Sequence, residues 1–434
     1  MTVEWSTDPE VLDAHRLDRS GWDPGGRPSA VAFAASVADV QEVLRAAHER
    51  RTPVVVRGAG TGLSGGAAAP AGSVVLDVRR LDRIREISPA DGVAVVEPGV
   101  ITADLDRAAA AHGLRYAPDP ASLEISTIGG NIATNAGGLR CAKYGVTRDA
   151  VLGLDVVLAD GTLLHTGGRT LKNVTGYDLT GLFVGSEGTL GVIVGATLRL
   201  RPVPVATATL AAYFGTVEDA AGAVTRIAEA GVVPAVAELL DAATLAALGD
   251  RRGGAFLLVQ TDGAAAEAEA DAVEKLLAEA GGAVTRAAGP AEADALVATR
   301  RRALPALEAL GRPLIEDIAV PRSRLAEAVR RIAAIAADTG VAIHTVAHAA
   351  DGNLHPIIVV DRSAPELPPQ AWEAASRVFR LALDLGGTLT GEHGVGALKR
   401  RWLGDELGPR SHELQQGLRR LFDPHGILNP GKAV

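Results

Sequence analysis

At 434 residues and 47% hydrophobic content, the chain is long enough for two or three domains and a large core. A formal charge of −9 argues against nucleic acid or an anionic membrane as the main partner. A single cysteine, Cys141, excludes an internal disulfide framework and suits a reducing cytosol.

In chain order, Met1–Asp8 carries no cationic and apolar leader pattern. No window approaches the roughly 18 uninterrupted apolar residues that a bilayer span needs, so the expected location is cytoplasmic, with any membrane contact made peripherally through a partner. Val37–Arg50 reads as an amphipathic helix and Pro53–Arg57 as an apolar strand. Short strands broken by glycine-rich turns follow at Ser73–Val78, Gly92–Glu97, Val151–Leu158 and Leu190–Arg201, with a helix at Ile101–His112. Pro202 and Pro204 mark a boundary. Beyond it, Ala-rich helices at Val217–Ala230, Ala264–Ala280, Ala291–Leu310 and Arg322–Thr339 alternate with strands at Ala208–Phe214, Ala255–Gln260 and Val341–His348. Helices at Pro369–Leu385 and Gly408–Leu421 precede the tail Phe422–Val434. The fold class is α+β.

Within Val54–Ala67, Gly60, Gly62 and Gly65 match G-x-G-x-x-G, with Asp77 at a suitable distance. The string taken alone says Rossmann dinucleotide binding. Its context excludes this: only Gly66–Gly72, with Pro70 inside, separates the glycines from the next strand, and no helix fits. A loop this rich in glycine between two strands instead turns backbone N–H groups toward phosphate oxygens. Two more glycine systems follow, PDPAS (Pro118–Ser122) leading to Ser126–Gly138, and Thr175–Val192. Three such loops suit a long diphosphate cofactor.

These three segments together resemble the flavin domain of the vanillyl-alcohol oxidase (p-cresol methylhydroxylase, PCMH) type, in its branch of D-lactate, glycolate and 2-hydroxyglutarate dehydrogenases. The resemblance covers nearly the whole chain. It implies a PCMH-type FAD-binding domain of two α+β subdomains over residues 1–204. An α+β substrate (cap) domain over 205–421 and a tail, 422–434, returning to the flavin domain complete the expected organisation. It places Arg57, Gly58, Ala59, Gly60, Thr61, Gly62, Ser64 and Gly65 around the pyrophosphate. Pro118, Ser122, Thr127, Gly129, Gly130, Asn131, Asn135, Gly137 and Gly138 line the flavin. Glu187, Gly188, Gly191 and Ile193 hold the ribityl and adenine side, and Asn429 lies near the isoalloxazine, with Lys432 close behind. No histidine stands between Arg51 and His112, which favours non-covalent FAD.

Val341–Val360 holds two apolar runs around the turn signal Asp351–Gly352, with His348 and His355 on either side, able to face each other across a hairpin. Two imidazoles so placed can converge on one ion; His344 has no such partner. Farther on, GGTLTGEHGVG sets Glu392 and His393 in a glycine frame. HxxDGNxH followed by GEHG is a pair of motifs of the same branch. By resemblance His348, His355 and Glu392 ligate a divalent metal, for which Zn²⁺, Mn²⁺ and Fe²⁺ suit mixed ligation alike, and His393 is the catalytic base. In the run Arg300–Arg302 the resemblance points to Arg300 as the substrate clamp, since a guanidinium grips a carboxylate bidentately. It also brings Lys172 and Tyr177 near flavin and substrate.

The implied activity is metal-assisted oxidation of a D-2-hydroxy acid to the 2-oxo acid by hydride transfer to flavin N5. Ile315 and Ile357 stand where hydroxyglutarate enzymes place a Lys and an Asn, which leans toward a monocarboxylate such as D-lactate or glycolate. The expected partners are that small acid and an electron acceptor (a quinone, cytochrome or flavoprotein), with a homodimer left open. Two rivals are an electron-relay flavin subunit of a glycolate-oxidising complex and a metal-free FAD alcohol oxidase of the same fold.

Overall fold

The computed structural model describes residues 3–364 and 366–434. Met1 and Thr2, where the leader segment was sought, lie outside the described residues. The chain forms two compact units, one of Met1–Gly138, Gly145–Val203 and Glu392–Val434, the other of Leu139–Tyr144 and Pro204–Gly391.

The first unit contains two main sheets. In the four-stranded one the order is Glu4–Ser6, Ala30–Phe33, Val74–Asp77, Val54–Arg57, the last three parallel. Helix Val37–Arg50 forms as its spacing predicts: Ser36 caps it by accepting from Asp39 N, and Arg51 ends it in the left-handed region. Val40, Val43, Leu44 and Ala47 make its buried stripe, packed with Val54, Leu76 and Leu428 in one core. Parallel neighbours are ordinarily joined by a helical crossover. Val54–Arg57 and Val74–Asp77 are joined without one, by turns and irregular backbone, in line with the exclusion of a Rossmann unit.

The five-stranded sheet runs Ile84–Ser88, Val93–Val96, Val192–Arg199, Val151–Val157, Leu163–Gly167, all antiparallel. Leu105 of helix Thr102–Ala110 and Ile128 and Ile132 of helix Ile128–Thr134 bury their side chains in its core beside Val96, Val156 and Leu198.

The second unit is built on an eight-stranded antiparallel sheet. Its path is Ala283–Arg286, Thr207–Phe214, Ala255–Asp262, Val236–Asp241, Ile343–His348, Asn353–Val360, Arg312–Ile315, with Ile318–Ala319 also on Asn353–Val360. Leu240, Phe256, Leu258, Val346 and Ile357 share one core with Leu245, Ala303 and Leu307 of helices Ala242–Ala247 and Ala303–Leu310. Leu296 and Val297 of helix Pro290–Arg301 pack against it.

Two helices differ from expectation. The single helix expected over Ala291–Leu310 is two, Pro290–Arg301 and Ala303–Leu310, with Arg302 between them. Pro305 has no N–H to donate and is tolerated only in a first helical turn, so the chain restarts just before it. The helix expected from Gly408 begins at Arg400, and Gly408 interrupts it at φ 68 just before Pro409. Gly408 thus ends one helical piece and Pro409 opens the next.

Candidate active site

The first glycine loop leaves the strand at Arg57, whose register partner across the parallel ladder is Asp77. Arg57 turns inward and is buried. Its Nη1 donates to Ala67 O at 3.4 Å and His15 O at 3.5 Å. Gly60 has φ 71, and a Cβ there would stand 2.2 Å from Arg57 Nη2, so this position requires glycine. The N-terminal segment braces the same loop from outside: Arg19 N donates to Gly60 O, Ser20 N to Gly62 O, and Asp18 Oδ2 accepts from Ala67 N at 3.1 Å.

Thr127 caps helix Ile128–Thr134 by accepting from Gly130 N. Its hydroxyl also lies 2.4 Å from where a Cβ on Gly58 would sit, so the first and second loops are in close contact. Asn131 donates to Thr102 Oγ1 at 2.6 Å, and Asn135 ends the helix at φ 53. In the third loop Glu187, at φ 51, accepts Val395 N and Gly396 N, each at 2.8 Å. Burial raises the Glu187 carboxyl against those two donors and the charges of Lys399 and Lys432. Asn429 ties the C-terminal tail to the strand Val54–Arg57 and to the third loop, accepting from Val56 N at 3.2 Å and donating to Glu187 O at 2.6 Å.

The expected cofactor residues therefore divide into a lining and a frame. Gly58, Ala59, Gly60, Thr61, Gly62, Ser122, Gly130 and Asn135 keep accessible surface. Arg57, Ser64, Gly65, Pro118, Thr127, Gly129, Asn131, Gly137, Gly138, Glu187, Gly188, Gly191, Ile193 and Asn429 are buried. Gly129 presses on Pro98, Gly138 on the Asp119 carbonyl and Gly191 on Val156, each closer than a Cβ would allow. Four of the eight accessible positions are glycines, which leave backbone N–H groups open to a phosphate.

The Glu392–Gly396 segment belongs to the same unit. Ser64 Oγ donates to His393 O and Gly394 O, Gly394 and Gly396 take positive φ, and His393 Nε2 lies 3.9 Å from Glu392 Oε1. Lys172 and Tyr177 lie on an exposed stretch, Tyr177 being 95% accessible.

In the second unit, antiparallel register sets Glu238 opposite His348 and Leu240 opposite Val346. The next ladder sets His348 opposite Asn353, Val346 opposite His355 and His344 opposite Ile357. By strand alternation all of these share one face. Thus His348 and His355 are diagonal neighbours rather than directly opposed, with ring centroids 5.1 Å apart and planes at 84°. Both are buried, and each brings a nitrogen within 4.8 Å of the other's. His344, for which no second imidazole was expected, faces Ile357 across the ladder, and it lies on the same face because it is four residues from His348.

Glu238 was missed by sequence reasoning. It is fully buried, with Oε1 2.5 Å from His348 Nδ1 and Oε2 2.6 Å from Arg300 Nε. Burial pushes its carboxyl up, but the charges of His348 and Arg300 outweigh that and hold it below its ordinary value. The available signal was a lone carboxylate inside the apolar run Val236–Leu240. Asp317 lies 3.8 Å from His355 Nδ1, within ion-pair range but beyond hydrogen-bond length. It also accepts from Asn353 Nδ2 at 2.7 Å and Thr390 Oγ1 at 2.8 Å. Asn353 Oδ1 is buried without a hydrogen-bond partner. Gly391 packs so tightly on Asn353 and Asp317 that a Cβ would stand 1.8 Å from Asn353 Nδ2. Glu392 and His393 follow Gly391 directly in the chain.

Comparison with known proteins identifies the family. Residues 28–167 match the FAD binding domain family model and residues 203–433 that of the FAD linked oxidases, C-terminal domain. The chain is 43% identical to glycolate oxidase subunit GlcD of Bacillus subtilis, over 93% of this chain and 88% of that protein. It is 38% identical to D-lactate dehydrogenase of Archaeoglobus fulgidus, over 91% and 89%. Among solved structures, p-cresol methylhydroxylase with substrate bound superposes with a TM-score of 0.81 at 17% identity, covering 99% of this chain and 93% of that one. The fold is of that type.

Proposed function

The chain belongs to the FAD-linked oxidases, and from that premise we propose that it oxidises a D-2-hydroxy monocarboxylate, D-lactate or glycolate in kind, with the help of a divalent cation. That it is an FAD-linked oxidoreductase of the glycolate oxidase and D-lactate dehydrogenase type follows from its family. The observation that carries the finer reading is the buried face where His348, His355, Glu238 and Arg300 meet.

The residues fit both groups. Backbone N–H groups of Gly58–Gly62 suit a pyrophosphate, and a Cβ at Gly58 or Gly60 would collide with Thr127 or Arg57. Two buried imidazoles, one hydrogen-bonded to Glu238 and the other 3.8 Å from Asp317, are the donor chemistry of a cation site, because a metal-bound histidine is held by a hydrogen bond from its other nitrogen. His348, His355 and Glu392 would hold the ion. When bound, FAD supplies a two-electron acceptor at N5, and the cation lowers the pKa of the substrate hydroxyl.

Arg300 spends its Nε on Glu238, leaving the terminal nitrogens to grip the substrate carboxylate. His393 takes the hydroxyl proton; an imidazole's ordinary pKa of roughly 6.5 suits that work near neutrality. Its backbone is held at the flavin loop by Ser64. Leu240, Val346, Ile357 and Ile315 form apolar ground beside the histidines, with Ile315 and Ile357 directly paired. A second carboxylate there would be desolvated without a partner, which supports a monocarboxylate. The test is anaerobic bleaching of the flavin by D-lactate, L-lactate, glycolate and D-2-hydroxyglutarate, with metal analysis of the same preparation. D-lactate or glycolate should bleach it fastest. Equal bleaching by L-lactate, or full activity in metal-free protein, would overturn the reading.

A further inference from the structure

One residue in the second unit touches both halves of the chemistry just described. Glu238 lies on the strand Val236–Asp241, opposite His348 by register, and no part of its side chain reaches solvent. Its two oxygens are divided between a histidine and an arginine that are far apart in sequence, at 2.5 and 2.6 Å.

We propose that Glu238 is a shared positioning residue: one oxygen presents His348 to a divalent cation and the other presents Arg300 to the substrate carboxylate. This rests on the reading of the site given above and adds the coupling between its two parts. Neutral imidazole carries one proton. With Nδ1–H donated to Glu238, the lone pair is on Nε2, the nitrogen left for the ion. With Nε–H donated to the other oxygen, the guanidinium is oriented by Glu238 and keeps its terminal nitrogens for the substrate carboxylate. A carboxylate accepts at both oxygens, whereas an amide has one acceptor and one donor end. Whichever way a glutamine turns, it fails one partner. Facing His348 with its NH₂, it forces the ring proton onto Nε2 and blocks the ion; facing Arg300 with it, two donors meet and the guanidinium is released.

The experiment compares wild type, Glu238→Ala, Glu238→Gln and Arg300→Met as FAD-loaded full-length protein. Zn²⁺ affinity is read by titration calorimetry after chelator dialysis, and kcat and KM for D-lactate are read separately at saturating Zn²⁺. Flavin content and the circular dichroism spectrum report folding. Glu238→Ala should weaken Zn²⁺ binding about tenfold or more, the usual size for such outer hydrogen bonds, and raise KM about as much. Glu238→Gln, which keeps the volume, should move at least one of the two by that factor. Adding Glu238→Ala to Arg300→Met should raise KM no further. The proposal falls if Glu238→Ala shifts only one quantity or neither, if Glu238→Gln matches wild type in both, or if the double variant is additive. Wild-type protein that binds no Zn²⁺ would instead overturn the cation reading itself.

Discussion

Ser64 of the first glycine loop donates its hydroxyl to the main-chain oxygens of His393 and Gly394, at 3.1 and 2.9 Å. Glu187 holds the next two amides of the same segment. The loop expected to hold the pyrophosphate and the segment carrying the proposed base are thus one hydrogen-bonded assembly. Removing the hydroxyl takes away its bonds at His393 and Gly394, while Glu187 and the main-chain oxygen of Ser64, which accepts from Ala397 N and Leu398 N, still hold the rest of the segment. Ser64→Ala should retain FAD and lower the rate of flavin reduction about fivefold, in line with about 1 kcal/mol for one hydrogen bond. Stopped-flow absorbance under anaerobic conditions measures it, and an unchanged rate would remove Ser64 from any part in positioning.

His393 itself should matter more. General-base removal typically costs 10²–10⁴-fold, so His393→Ala should slow flavin reduction by about that factor while FAD content stays at the wild-type level. A reduction rate within twofold of wild type would reassign the base.

Lys432 gives a pH signature. Its side chain is buried, and Nζ has no hydrogen-bond partner. Burial brings its pKa down to about 8, against the attraction of Asp18 and Glu187 and with repulsion from Arg57. Because the folded pKa is below the unfolded one, the unfolded chain binds more protons between about pH 8 and the ordinary lysine range. Stability from this group is therefore present above that window and lost as pH falls toward 8. The difference in unfolding free energy between wild type and Lys432→Met should change across pH 8–10, by urea titration at each pH. A difference that is flat in pH would contradict it.

Substrate length tests the apolar ground. Wild type should reduce its flavin with D-lactate far faster than with D-2-hydroxyglutarate. Ile315→Lys combined with Ile357→Asn should narrow that ratio by at least about tenfold, since a paired second carboxylate no longer carries the desolvation cost. Measured kcat/KM ratios decide it, and an unchanged ratio would show that these two side chains do not line the substrate.

Local chemistry made much of this molecule legible before any fold was known. Val37–Arg50 announced its helix through apolar spacing, and those are its observed bounds. The Rossmann reading of Gly60–Gly65 failed on the seven residues 66–72 alone. Breaks inside apparently continuous helices were harder to see, because Pro305, which makes the chain restart after Arg302, stands in a run whose other residues favour a helix.

What the sequence determined by itself is the cofactor class: three glycine segments, each local, identify a flavin cradle and the family to which it belongs. What only the tertiary structure decided is how the charged groups are shared. Nothing near Glu238 in the chain marks it as the partner of His348, 110 residues away, or of Arg300, 62 residues away. The same holds for the buried burdens of Arg57, Asn131 and Ser64, which sequence alone assigned to the cofactor. Spacing along a chain reports local backbone geometry, whereas a buried carboxylate's partners are set by strand order and register, and those emerge only when the sheet is assembled.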